Sequence, residues 1–129
     1  MEGDSQIVKV LVVIDDEPDM RTVIRFTLRA DPRLEIQGEA ETAQQAIELA
    51  RTVDPGLVIL DHNIKGDIMG IQAAPLLKKA APNAKILLFT AFDKSDEATA
   101  EPAIDAFLRK DQIEKLVPTI DRLLGLDPI

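Results

Sequence analysis

Three short runs of aliphatic residues constrain the fold of this chain more than any other feature. They span 8–14, 56–60 and 85–89, and each is close to a continuous series of Val, Ile and Leu. Strands buried on both faces have this composition, as in a parallel sheet covered by helices. A shorter run at 106–108 predicts another strand, and the alternating segment 35–40 predicts an edge strand with one wet face.

Helical patterns separate these five predicted strands. The first helix is predicted to begin at Pro18 and to end at Asp31-Pro32, and Thr42 is predicted to cap the second. The third is predicted over about 70–80. Alternation of strands and helices at this spacing implies right-handed crossovers, and therefore a five-stranded parallel sheet with helices on both faces.

Prolines place limits on the later helices. Pro75 is tolerable only near the first turn of the third helix, and Pro118 should kink a fifth helix predicted over about 111–124. A fourth helix starting near Ser95 cannot pass Pro102 undistorted. We therefore expect the fourth helix to be short, about two turns, or irregular.

Composition excludes several classes of function. The 129 residues include no cysteine and one histidine, which excludes disulfide frameworks, thiolate zinc sites and multi-histidine metal sites. The net charge of −8 disfavours direct binding to nucleic acid or to an anionic membrane. No apolar stretch reaches the roughly 18 residues of a membrane span, and the acidic, polar start does not resemble a signal peptide. We expect a cytoplasmic protein whose four aromatic residues are all Phe, with Phe26 and Phe89 in the core.

The residues that end the predicted strands form the candidate site. In an open α/β sheet, ligands bind outside the carboxyl ends of the strands. The residues at these ends are Asp15, Asp16, Glu17, Asp61, His62, Asn63, Thr90, Ala91 and Lys110. Converging carboxylates repel one another unless a hard cation such as Mg²⁺ lies between them. A hydroxyl and an ammonium beside that metal suit a phosphoryl group.

Each of these residues also has a purely structural interpretation. Asp15 and Asp16 could serve only to cap the first helix, and Asp61 could be a turn residue. His62 is predicted to be an outward-facing loop residue. The joint pattern favours a site, because each residue type falls at the end of a different strand.

Four stretches of the chain carry a family resemblance. They are residues 10–18, 57–61, 86–93 and 106–111, and they read VLVVIDDEP, LVILD, ILLFTAFD and AFLRKD. Together they resemble the receiver domain of bacterial two-component response regulators, of the chemotaxis-regulator type, over about residues 7–124. The resemblance implies one domain over 1–129 with a flavodoxin-like sheet in the order 2-1-3-4-5.

The resemblance also implies a function. Asp61 would accept a phosphoryl group from a histidine kinase or a phosphotransfer protein, and Lys110 would pair with that group. Thr90 would hydrogen-bond it, and Phe107 would change rotamer and so switch the face formed by the fourth helix, the fifth strand and the fifth helix. The implied ligands of Mg²⁺ are Asp15, Asp16, Asp61 and the backbone carbonyl of Asn63.

Two departures from the family pattern concern loops. Ile64-Lys65 stands where the family usually has a Met-Pro pair, and the loop is one residue longer before Gly70. Lys110 is followed by Asp111 where many members have proline. The first departure puts the geometry of the loop and the start of the third helix in question.

Two other functions compete with a phosphoacceptor. A pseudo-receiver would dock partners without phosphorylation, although no acceptor, metal or lysine position is missing. A haloacid-dehalogenase-like phosphohydrolase needs a second Asp two residues after its nucleophile, whereas Glu17 follows Asp15 at that spacing. We expect no enzymatic activity beyond Mg²⁺-dependent self-phosphorylation and autodephosphorylation. The downstream target is not identified by the sequence, and a second copy of the chain is a candidate partner.

Overall fold

The computed structural model describes residues 7–14 and 18–128. Five parallel strands form one sheet in the order β2-β1-β3-β4-β5, as predicted. The strands are β1 (Val8–Val13), β2 (Leu34–Ala40), β3 (Leu57–Leu60), β4 (Lys85–Thr90) and β5 (Ala106–Arg109). The position of β2 at one edge of the sheet explains its alternating sequence, which the structure confirms as a half-exposed strand.

The helices follow the strands in strict alternation. They are α1 (Pro18–Leu28), α2 (Ala43–Val53), α3 (Gly70–Ala80), α4 (Ser95–Ala100) and α5 (Leu116–Leu124). The side chain of Thr42 accepts a hydrogen bond from the backbone N–H of Gln45, which confirms the predicted cap of α2. Helix α4 has only six residues and ends before Pro102, as the proline argument predicted.

The sheet separates two hydrophobic clusters. One lies under α2, α3 and α4 and includes Leu60 and Leu88, whereas the other lies under α1 and α5 and includes Ile59 and Phe89. Successive residues of a strand point to opposite faces, so each central strand contributes to both clusters. The continuous apolar runs in the sequence reflect this burial on two faces.

Three predictions about single residues were wrong. Phe26 is 73% exposed, since the buried stripe of α1 runs through Ile24 and Leu28 and leaves Phe26 on the outer side. Pro118 does not kink the last helix. Residues 110–115 form a 3₁₀ segment with a break at Gln112, so Pro118 falls in the first turn of α5, where its missing N–H costs no bond. Pro75 is the sixth residue of α3, beyond the first turn, and lies on its exposed side.

No helix within residues 7–14 and 18–128 is long and apolar enough to cross a membrane.

Candidate functional site

Asp61 is the central residue of the candidate site. It directly follows β3 and is 1% exposed, and its backbone N–H donates to the carbonyl of Val13 at 2.9 Å. The backbone N–H of Asn63 donates to Asp61 Oδ1 at 3.3 Å. A carboxylate is therefore held at the carboxyl end of the central strands, as the sequence predicted.

Lys110 contacts this carboxylate directly. Its Nζ lies 2.6 Å from Asp61 Oδ2, and the two side chains are only 9% and 2% exposed. Arg109 pairs with Thr90 across β4 and β5, and this register brings the following residue, Lys110, to the same edge of the sheet. A buried ion pair of this kind is costly to break from one side, because the remaining charge loses its partner.

Thr90 is a buried polar residue of the candidate site. It ends β4 and is fully buried, yet its Oγ1 has no hydrogen-bond partner within 7–14 and 18–128. An unsatisfied buried hydroxyl costs about 1–3 kcal/mol. Such a group in a native structure is a candidate ligand for something that binds nearby.

Gly70 has a role that the sequence did not reveal. A Cβ on this residue would lie 2.0 Å from the carbonyl oxygen of Asp61 and 2.8 Å from the Cα of His62. The backbone at the start of α3 therefore packs directly against the backbone of the candidate acceptor. The only signal in the sequence was a glycine at the first position of a predicted helix.

The prediction for His62 was wrong in part. The residue is half-buried, and its carbonyl accepts from the N–H of Gly70 at 2.7 Å while its Nδ1 accepts from the N–H of Ile71 at 3.4 Å. Burial, with a smaller contribution from the charge of Lys94, lowers the pKa of His62. The residue after Asp61 thus satisfies two of the N–H groups at the start of α3 that lack intrahelical partners.

The predicted metal ligands are only partly described. Asp15 and Asp16 lie outside the described residues, and 7–14 and 18–128 alone contain no cluster of three or more possible ligands. Asp61 offers carboxylate oxygens, and Asn63 lies two residues further along the same loop. This oxygen-donor chemistry fits Mg²⁺.

The comparisons with known proteins identify the class. The family model described as the response regulator receiver domain matches residues 11–121. The chain belongs to this family. The order of the five strands agrees with the fold that the resemblance implied.

Relatives of the chain are response regulators. The nitrate/nitrite response regulator protein NarL of Escherichia coli K12 is 32% identical over 103 residues, which cover 78% of this chain and 47% of NarL. The response regulator protein VraR of Staphylococcus aureus NCTC 8325 is 30% identical over 105 residues, covering 80% of this chain and 49% of VraR. The chain thus spans about half the length of these relatives.

A solved structure supports the same fold. A LuxR-family two-component response regulator from Aurantimonas sp. SI85-9A1 matches with a TM-score of 0.82 and 26% identity, over 92% of this chain and 86% of that one.

Proposed function

We propose that this receiver domain is a phosphoacceptor, in which Asp61 takes a phosphoryl group from a histidine kinase or a phosphotransfer protein. The observation that carries the proposal is the buried pair of Asp61 and Lys110, 2.6 Å apart. It lies at the end of the sheet where the hydroxyl of Thr90 has no hydrogen-bond partner among the described residues. The ammonium of Lys110 and the hydroxyl of Thr90 match the charge and the hydrogen-bonding capacity of a phosphoryl group.

The transfer is a displacement at phosphorus. A carboxylate oxygen of Asp61 forms a bond to phosphorus as the bond to the donor's imidazole nitrogen breaks, and the imidazole keeps the electron pair. Such a step depends mainly on in-line placement and neutralisation of charge. Lys110 supplies a fixed positive charge. Mg²⁺, held by Asp15, Asp16, Asp61 and the Asn63 carbonyl, would neutralise the phosphoryl oxygens when bound.

A small phosphodonor tests this proposal without knowledge of the kinase. We expect incubation with acetyl phosphate and Mg²⁺ to add one phosphoryl group to the intact mass, and chelation of the metal to prevent the addition. Beryllofluoride with Mg²⁺ should bind and shift backbone resonances near Asp61 and Thr90. A docking pseudo-receiver would show neither response, and that outcome would reject the proposal.

We further propose that Thr90 and Phe107 transmit the phosphorylated state. Phe107 is half-buried in β5 and packs against the cluster under α2, α3 and α4. A cleft of about 290 Å³ lies beside it, lined by Ala98, Thr99, Ile104, Asp105, Ala106 and Phe107. Movement of Thr90 towards a phosphoryl group on the neighbouring strand would let the ring of Phe107 change rotamer. The face formed by α4, β5 and α5 would change shape as a result.

Substitution of Thr90 by the isosteric Val tests the hydroxyl specifically. We expect Thr90→Val to stabilise the unphosphorylated protein by about 1 kcal/mol, since it removes a buried hydroxyl that has no hydrogen-bond partner in the described part of the chain. The variant should still accept phosphate from acetyl phosphate. Its resonances in α4 and β5 should respond much less to beryllofluoride than those of the parent. Denaturant unfolding and NMR are the two measurements, and a full response in α4 and β5 would contradict the role of Thr90.

We propose a cytoplasmic domain whose only chemistry is its own phosphorylation and dephosphorylation. Its downstream partner, or a second copy of the chain, would bind the face formed by α4, β5 and α5.

A further inference from the structure

A second group of ionisable side chains lies at the end of the sheet opposite to Asp61, where the strands begin. Asp31 and Arg33 occupy the turn between α1 and β2, at the amino ends of the strands, and Asp121 belongs to α5. Asp31 is fully buried, and Asp121 is only 5% exposed. Two carboxyl groups buried together require a cation, a proton or both.

The guanidinium of Arg33 lies closer to the carboxyl group of Asp31 than to that of Asp121. Arg33 donates from Nε and Nη2 to the two oxygens of Asp31, each at 2.9 Å, whereas its Nη2 lies 3.5 Å from Asp121 Oδ2. Asp121 Oδ1 is buried and has no hydrogen-bond partner within 7–14 and 18–128. Both carboxyl groups face the same Nη2 atom of Arg33, and each affects the acidity of the other. A proton bound to Asp121 would relieve the repulsion between them.

The same groups fasten the residues that follow α5. The Nη2 of Arg33 donates to the backbone carbonyl of Asp127 at 2.7 Å. The backbone N–H of Leu126 donates to the carbonyl of Asp121, also at 2.7 Å. Any change in the charge of Asp121 therefore acts on the contacts of this C-terminal segment.

The pKa values of the two carboxyl groups are shifted in opposite directions. Burial, followed by the hydrogen bond and the charge of Asp31, raises the pKa of Asp121 from 3.8 to about 6. The hydrogen bond from Arg33 is the largest influence on Asp31 and lowers its pKa from 3.8 to about 2. Asp31 and Arg33 are the charged groups that act on Asp121, and the charge of Asp127 acts on Arg33.

We propose that Asp31, Arg33 and Asp121 form a proton-binding site that controls how firmly residues 126–128 are held against the domain. With the proton bound, Asp121 donates to Asp31, and Arg33 remains on the carbonyl of Asp127. With the proton lost, ionised Asp121 repels Asp31 and draws the Nη2 of Arg33 away from that carbonyl. The segment is held at mildly acidic pH and loosened as pH rises through about 6.

The effect on stability has a definite sign. The unfolded chain loses the proton of Asp121 near pH 3.8, but the folded protein keeps it to about 6. Asp121 therefore contributes stability at low pH, and that contribution is lost as pH rises from 3.8 to about 6. Asp31 contributes in the opposite sense, because its stabilisation is lost only as pH falls from 3.8 to about 2.

The test is an NMR titration of the parent and two variants. In the parent, the carboxyl carbon of Asp121 should titrate near pH 6, and ¹⁵N relaxation should show Leu126 and Asp127 becoming more mobile over the same range. Asp121→Asn should hold the segment at every pH and gain stability relative to the parent as pH rises. Asp96→Asn is the matched control, because it removes one exposed charge from α4, which contributes no residue to the cluster, and it should titrate as the parent does.

Two results would overturn the proposal. One is titration of Asp121 close to pH 3.8, its ordinary value. The other is mobility of Leu126 and Asp127 that does not follow the titration of Asp121. Neither measurement depends on phosphorylation, so it can be repeated in an Asp61→Asn background.

Discussion

The substitution Asp61→Asn is expected to abolish phosphorylation by acetyl phosphate completely. The amide cannot act as the nucleophile, and Asp61 is the buried carboxylate to which Lys110 is paired, at 2.6 Å. Intact mass after incubation with acetyl phosphate and Mg²⁺ should show one added phosphoryl group in the parent and none in the variant. Circular dichroism should establish that the variant is folded.

Asp67→Asn is the matched control for this experiment. Asp67 is an exposed acid in the same loop between β3 and α3, and its substitution removes the same charge. We expect labelling equal to that of the parent. Phosphate incorporation that survives in Asp61→Asn would assign the acceptor to another residue.

Adding a single methyl group at Gly70 should have the next largest effect. The new Cβ of Gly70→Ala would lie 2.0 Å from the carbonyl oxygen of Asp61, so the start of α3 or the acceptor itself must move. Overpacking of this kind costs about 1–3 kcal/mol. We expect a loss of stability in that range and at least a tenfold slower reaction with acetyl phosphate, since small displacements of reacting groups slow in-line transfer by about 10²-fold.

Gly56→Ala provides the comparison. A Cβ there would meet Cγ1 of Val8 at 3.1 Å, a side-chain atom that can shift, at the far end of β3 from Asp61. It should alter stability less than Gly70→Ala does and leave the phosphorylation rate unchanged. If Gly70→Ala matched the parent in both stability and rate, the close packing of α3 against Asp61 would have no consequence for the site.

The sequence predicted the sheet well because burial on two faces leaves a strong pattern. Runs such as 57–60 and 85–90 cannot be helical surface and are too short to span a membrane. Because the strands were predicted to be parallel, their carboxyl ends were expected to lie together. Asp61 and Lys110 were therefore predicted at the same end of the sheet. The short α4 followed equally directly from the missing N–H of Pro102.

The failures concern properties that depend on contacts distant in sequence. The exposure of Phe26 depends on which stripe of α1 packs on the sheet, and that stripe runs through Ile24 and Leu28. The contact between Gly70 and Asp61 depends on the path of the loop that joins them. The cluster of Asp31 and Asp121 unites residues ninety positions apart in the chain, so neither residue carried a local signal.

The two faces of the sheet differ in the size of their buried side chains. The cluster under α2, α3 and α4 contains ten buried alanines, whereas the cluster under α1 and α5 has none among the described residues. Alanine has no rotamers to exchange, so fewer side chains on this face can rearrange around a displacement. A signal that moves α3 or α4 is therefore expected to shift these helices over the sheet as bodies, in addition to the rotamer change proposed for Phe107. The opposite face, filled by Leu, Ile, Val and Phe, has more side chains that can repack.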